Sequence, residues 1–211
     1  MSLDPGSQAL ADYIFVSKYA NHLPDQQRRE TWEESVARVF GMHRKHYADA
    51  STEVGQIIDN VEASFGAREI LGSQRGLQFG GAPILAKNQR LFNCVFSYAD
   101  RPRFFAEAFH LLLCGSGVGF SVQRHHVERL PRIYRHAPRG EQVHVVEDTI
   151  EGWADAAHAL VLSYFGGGAR LAFDYSLIRP KGSRISTGAG RAARRAAGGT
   201  AGGRVSCTVG V

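Results

Sequence analysis

The sequence predicts an α/β protein with a helical N-terminal region, and three observations lead there. Two amphipathic helical patterns follow one another before residue 70. Beyond residue 90, short apolar runs alternate with helical stripes in the order strand, helix, strand, excursion, strand, helix, strand, as in an α/β domain. Too few strands are present to close a barrel. The last 21 residues then change character and lack the apolar side chains of a core.

The chain has 211 residues, enough for one sizeable core or two small domains. No run of apolar residues approaches the ~20 needed to span a bilayer. The N-terminus has no basic stretch leading into an apolar one, so no signal peptide is expected. Three cysteines, Cys94, Cys114 and Cys207, are too few for a disulfide framework and fit a reducing, cytoplasmic setting. Four arginines (Arg191, Arg194, Arg195, Arg204) stand in residues 191–211 with no acid, so the net charge of +5 falls to +1 over residues 1–190. The body therefore carries no basic stripe for direct nucleic-acid binding.

Residues 12–24 predict a short element and then a loop at Pro24. Thr31 and Glu34 have capping-box spacing, and Trp32, Val36, Val39, Phe40, His43 and Tyr47 follow at helical intervals. A second helix fits 52–65, with Val54, Ile57, Ile58, Val61 and Phe65 on one face. A helical subdomain over 1–70 is expected. Segment 71–92 is rich in Gly and reads as a long irregular crossing. Arg75 and Gly80-Gly81 there fit either an anion contact or a plain surface loop.

A buried strand is predicted at 91–96, carrying Cys94. A helix starts at Arg101-Pro102-Arg103, and its apolar residues nearly surround it, so it is expected to be well buried. Another strand fits 120–122 after Gly115, Gly117 and Gly119. Residues 123–142 form a basic excursion and 143–146 a short strand. Asp148 and Glu151 have capping-box spacing ahead of a stripe of Trp153, Ala156, Leu160 and Tyr164. Alternation at Leu171, Phe173 and Tyr175 argues for a last strand. Residues 71–190 thus make a partial α/β domain, and 191–211 a disordered Arg/Ala/Gly tail.

Several residues carry candidate chemistry. Cys94 is either a thiol held rigidly beside a ligand or a small packing residue, and its pattern alone leaves both open. Gly115, Ser116, Gly117 and Gly119, and likewise Ser186, Thr187 and Gly188, could present backbone N–H groups to phosphate, though neither segment ends as a P-loop does. Asp148 fits a helix cap or a ribose contact. His43 with His46, and His125 with His126, lack the partners of a metal site, and no metal is expected.

Four stretches taken together resemble a known family: FVSKYANHLP with RRETWEESVARVFGMH, QRGLQFGG with NCVFSYADRPRFFAEAFHLLLCGSGVGFSVQRHHVERLP, VEDTIEGWADAAHALVLSYF, and FDYSLIRPKGSRISTGAG. They are similar to the N-terminal part of adenosylcobalamin-dependent (class II) ribonucleoside-triphosphate reductases of the monomeric type, over about residues 12–190. The resemblance implies the first strands and helices of a ten-stranded α/β barrel. It implies reduction of ribonucleoside triphosphates by thiyl-radical chemistry, with adenosylcobalamin as radical source. A deoxynucleotide effector and a thioredoxin-like reductant would be its partners. Cys94 matches the first of two reducing cysteines, which together deliver two electrons as one exchangeable disulfide. Residues 179–190, with Arg179, Lys181, Ser186, Thr187 and Gly188, match the loop that relays effector identity, and Asp148 falls near the effector site. The residues that complete the family's chemistry are absent before the Arg/Ala/Gly tail, a composition typical of GC-rich DNA read out of frame. A truncated or frameshifted reductase, inactive alone, is therefore expected. A non-catalytic nucleotide-binding piece or half of a split enzyme stands second, and a basic-tailed nucleic-acid binder third.

Overall fold

The computed structural model describes residues 4–135 and 140–183 and the backbone of 204–206. They fall into two compact units, divided after Phe92.

The first unit opens with helix α1 (Pro5–Lys18). The Asp4 carboxylate accepts from Gly6 N and Ser7 N, and Pro5 stands in the first turn. This helix begins earlier than the sequence pattern suggested, and the Asp4-Pro5 pair is its start signal. A two-residue hairpin, β1 (His22–Leu23) with β2 (Arg28–Arg29), leads into α2 (Trp32–His46). The predicted capping box is present: Glu34 N donates to Thr31 Oγ1 at 3.3 Å and Thr31 N donates to Glu34 Oε2 at 2.8 Å. Helix α3 (Thr52–Gly66) packs against α2. Val36, Val39, Phe40, Phe65 and Leu77 form the core, and Trp32 stacks on Phe65 with ring centres 5.5 Å apart.

Segment 71–92 is helical where an irregular crossing was expected. It forms α4 (Gln74–Phe79), α5 (Ala82–Ala86) and a 3₁₀ turn (Asn88–Leu91), and belongs to the first unit. The reason is tertiary. Glu30, 6% exposed, accepts from Arg38 Nε at 2.7 Å, Arg38 Nη2 at 2.9 Å, Ser35 Oγ at 2.9 Å and Asn21 N at 3.0 Å. The guanidinium so fixed donates onward to Leu77 O at 2.8 Å and Gly80 O at 3.0 Å, carbonyls at the end of α4 that the helix cannot satisfy itself. Arg75 lies over the Phe79 ring at 5.7 Å, packed along its own helix.

The second unit contains two strand–helix–strand modules. In the first, β3 (Cys94–Tyr98) and β4 (Gly117–Ser121) are parallel and joined by α6 (Arg103–Leu113). A four-residue turn, α7 (Arg124–Val127), follows. In the second, β5 (Glu141–Val145) and β6 (Arg170–Asp174) are parallel and joined by α8 (Ile150–Phe165). Helices α6 and α8 pack together. Val146, Ala156, Leu171 and Phe173 make the core under α8, with Trp153 and Tyr175 stacked beside it. Helix α6 is less buried than its composition suggested: Phe104 is buried, but Leu112 is 53% exposed. Within the tail expected to be disordered, β7 (Arg204–Ser206) runs antiparallel to β6. Among the described residues no helix is long and apolar enough to cross a membrane.

Burial pushes the Glu30 carboxyl up, but its hydrogen bonds from Arg38, Asn21 N and Ser35 outweigh this and hold it below the ordinary glutamate value. A depressed folded value stabilises above the unfolded value and is lost as pH falls through the folded one. Thermal melts of the first unit should therefore weaken as pH falls below ~4. Arg38→Ala, which leaves Glu30 buried and uncompensated, should cost about 3–5 kcal/mol in denaturant unfolding.

Candidate functional site

Two places in the second unit gather the residues of interest. The first is the amino end of β3. Cys94 opens this strand and is exposed, with a free thiol. Its register partner is Gly117, the first residue of β4. A Cβ built on Gly117 would sit 3.7 Å from Cys94 Sγ, and one on Gly119 would sit 3.4 Å from the Phe96 ring. The two glycines therefore strip β4 of side chains opposite Cys94 and Phe96, and leave the thiol facing open space across the strand pair. Cys94 is thus exposed rather than packed in a core.

The same geometry corrects the phosphate-loop reading of Gly115, Ser116, Gly117 and Gly119. Gly115, with φ +96°, ends α6 in the left-handed region. Its N–H donates to Leu112 O, that of Ser116 to Leu111 O, and that of Gly117 to Asn93 O at 2.7 Å. Those donors are spent on closing the helix and opening the strand. Ser116 is itself 3% exposed, and Gly119 lies inside β4. Cys114 is 1% exposed with Sγ 3.6 Å from His110 Nε2, a packed position as its pattern suggested.

The second place is the carboxyl end of β5 and β6. Asp148 follows β5 and Arg179 follows β6, and they meet: Arg179 Nε donates to Asp148 Oδ2 at 2.5 Å, Arg179 N to the same oxygen at 3.3 Å, and Arg179 Nη2 to Asp148 O at 3.2 Å. Both side chains are 27% exposed. Asp148 is therefore not the helix cap. Thr149 caps α8, accepting from Gly152 N at 2.9 Å. Gly152 lets the helix start tuck in, because a Cβ there would lie 2.6 Å from Glu147 O. Lys181 is exposed just beyond, and Ser186, Thr187 and Gly188 lie outside the described residues.

Sequence reasoning passed over a third grouping at the carboxyl ends of β3 and β4. His126 Nδ1 lies 3.0 Å from Ser121 Oγ, and the ring lies 4.4 Å from that of Tyr98 and 3.9 Å from that of His125. Burial, His125 and Arg129 hold His126 below the usual histidine value. Only folding brings Tyr98, Ser121 and His126 together, since they lie on separate segments of the chain. Among the described residues no group of three or more His, Cys, Asp or Glu is placed to hold a metal ion. A cavity of about 260 Å³ lies between β5, β6 and α8, lined by Gln142, His144, Leu162, Ser163, Gly168 and Leu171.

In a Cys207→Ser background, a thiol reagent should label Cys94 at once in the folded protein and Cys114 only on unfolding. Equal labelling of both would contradict the exposures found here.

No family model matches the chain. Two curated proteins are similar to it, each named adenosylcobalamin-dependent ribonucleoside-triphosphate reductase. The one from Lacticaseibacillus paracasei is 26% identical over 79% of this chain and 31% of its own length. The one from Euglena gracilis is 26% identical over 86% of this chain and 27% of its own length. The chain thus spans less than a third of the length of either relative. A crystal structure of a B12-dependent (class II) ribonucleotide reductase superposes with a TM-score of 0.72 at 21% identity, over 85% of this chain and 34% of that one. The helical first unit and the paired strand–helix–strand modules match the fold of part of that enzyme, and in sequence the chain is similar to part of the adenosylcobalamin-dependent ribonucleoside-triphosphate reductases.

Proposed function

We propose that this chain supplies one of the two reducing thiols, and an effector-reading end, of a ribonucleoside-triphosphate reductase. The observation that carries the reading is the exposed thiol of Cys94 at the start of β3, opposite Gly117, in a chain related to enzymes of that name. Reduction at the ribose 2′-carbon replaces a C–O bond with a C–H bond, and the oxygen leaves as water. Two thiols give up their hydrogens and two electrons and close a disulfide, so atoms and electrons balance. Cys94 is one of the two. Its place in a hydrogen-bonded strand holds the sulfur in position, and the glycine-lined β4 leaves room for a ribose above it. The second thiol comes from outside the described residues, because Cys114 is packed against His110. A thioredoxin-like dithiol would reopen the disulfide by exchange at the exposed Cys94.

Adenosylcobalamin, named for the relatives, supplies a radical when bound. A corrin with its nucleotide tail is far larger than the 260 Å³ cavity, so the residues lining that cavity do not fit that cofactor.

The second end reads a nucleotide. Ligands of open α/β sheets bind beyond the carboxyl ends of parallel strands, where Asp148 and Arg179 meet next to the start of α8. Asp148 orients the Arg179 guanidinium, leaving it half-shielded and able to contact the phosphate or sugar of a deoxynucleotide effector, with Lys181 nearby in the chain. A difference in binding between two nucleotides there becomes a coupling free energy to the thiol site.

Mixing the chain with a polypeptide that supplies the remaining two thirds of a related reductase, together with adenosylcobalamin, dithiol and ribonucleoside triphosphate, should yield deoxyribonucleotide. Cys94→Ser should reduce that yield by about three orders of magnitude or more. Undiminished yield with Cys94→Ser would contradict the assignment. Binding of a deoxynucleoside triphosphate to the chain should weaken by about tenfold or more in Arg179→Ala and by less in Asp148→Asn, as read by calorimetry.

A further inference from the structure

The outer edge of β6 is covered by the chain's own tail, and we propose that Arg204–Ser206 acts as an edge guard: an intramolecular strand that fills the hydrogen-bonding row of β6 and keeps that row from pairing with a second copy of the chain. The backbone directions fix what it does. Val146 N donates to Asp174 O, so the polar groups of Asp174 point toward β5. Those of Ala172, two residues back, point the same way, and those of Phe173 point to the other side. On that side β7 pairs Phe173 with Val205, flanked by Ala172 with Ser206 and Asp174 with Arg204. Phe173 is therefore the residue of β6 whose N–H and C=O the tail strand satisfies.

The need for a guard follows from where β6 sits. It is more buried than β5, with Leu171 7%, Ala172 1% and Phe173 3% exposed. A flat, apolar strand with an open row of donors and acceptors is a template for pairing with another chain. The guard is antiparallel, so the edge accepts antiparallel strands, and β6 of a second copy could take its place in a two-fold pair. A role in the second unit's sheet is independent of the reductase reading, and it stands or falls on the tail alone.

The test uses amide hydrogen exchange by NMR on the full chain, on a chain ending at residue 203, and on full-length Val205→Pro, which removes a donor from the guard. Phe173 N–H reports the guarded edge, and Ala172 N–H, turned toward β5, is the internal control. Exchange at Phe173 should accelerate by about tenfold or more in both variants with Ala172 unchanged. Sedimentation should show the truncated chain self-associating at concentrations where the full chain does not. Exchange at Phe173 that is the same in all three proteins would overturn the proposal. So would a parallel rise at Ala172 and Phe173 in both variants, since the tail would then hold the whole sheet rather than guard one edge.

Discussion

The parallel pairing of β3 with β4 is the constraint on which the thiol site depends. Parallel strands cannot be joined by a tight turn, so the chain must leave the sheet, run back along a helix and re-enter at the same end. Helix α6 is that return, and Gly115 in the left-handed region is where it turns back toward the sheet. The re-entry brings Gly117 beside Cys94, with Gly117 N donating to Asn93 O at 2.7 Å. The glycines that resemble a phosphate loop in one dimension are in three dimensions the clearance around a sulfur. Their N–H groups are used by the backbone, and Gly117 and Gly119 place no side chain beside Cys94 and Phe96.

The same construction appears a second time with a different result. Strands β5 and β6 are also parallel and joined by one helix, but here the residues of interest lie beyond the carboxyl ends. Asp148 and Arg179 are 31 positions apart in sequence and come together because each follows a strand of the same pair. Thr149 takes over the capping of α8, which releases the Asp148 carboxylate to hold the guanidinium. One module thus holds a nucleophile-type group at its amino end, and the other holds a charged pair at its carboxyl end. The first unit is built on another principle, a buried carboxylate–guanidinium pair whose spare donors cap the end of α4.

How much of this could be read in advance follows from the range of the forces. Helices α2, α3, α6 and α8 were legible, because caps and apolar stripes are local signals, and so was the order of strands. Helix α1 was under-read, since its own face is weakly patterned and its start lies in the Asp4-Pro5 cap. Segment 71–92 was misread as a crossing, because what makes it helical is Arg38, about 40 residues earlier. Within the site, Cys94 was legible as a candidate from the resemblance of its surroundings, and the Asp148–Arg179 contact was not, although both residues had been singled out separately. The grouping of Tyr98, Ser121 and His126 had no signal in the sequence at all. Pairing across strands is invisible until the register is known.

In the proposed function, Cys94 is oxidised as the ribose is reduced. The most direct measurement is peptide mass spectrometry of the chain after one turnover in the reconstituted enzyme, with no external dithiol present. Cys94 is expected in a disulfide, one for each deoxyribonucleotide formed. Product formed while Cys94 remains a free thiol would contradict it.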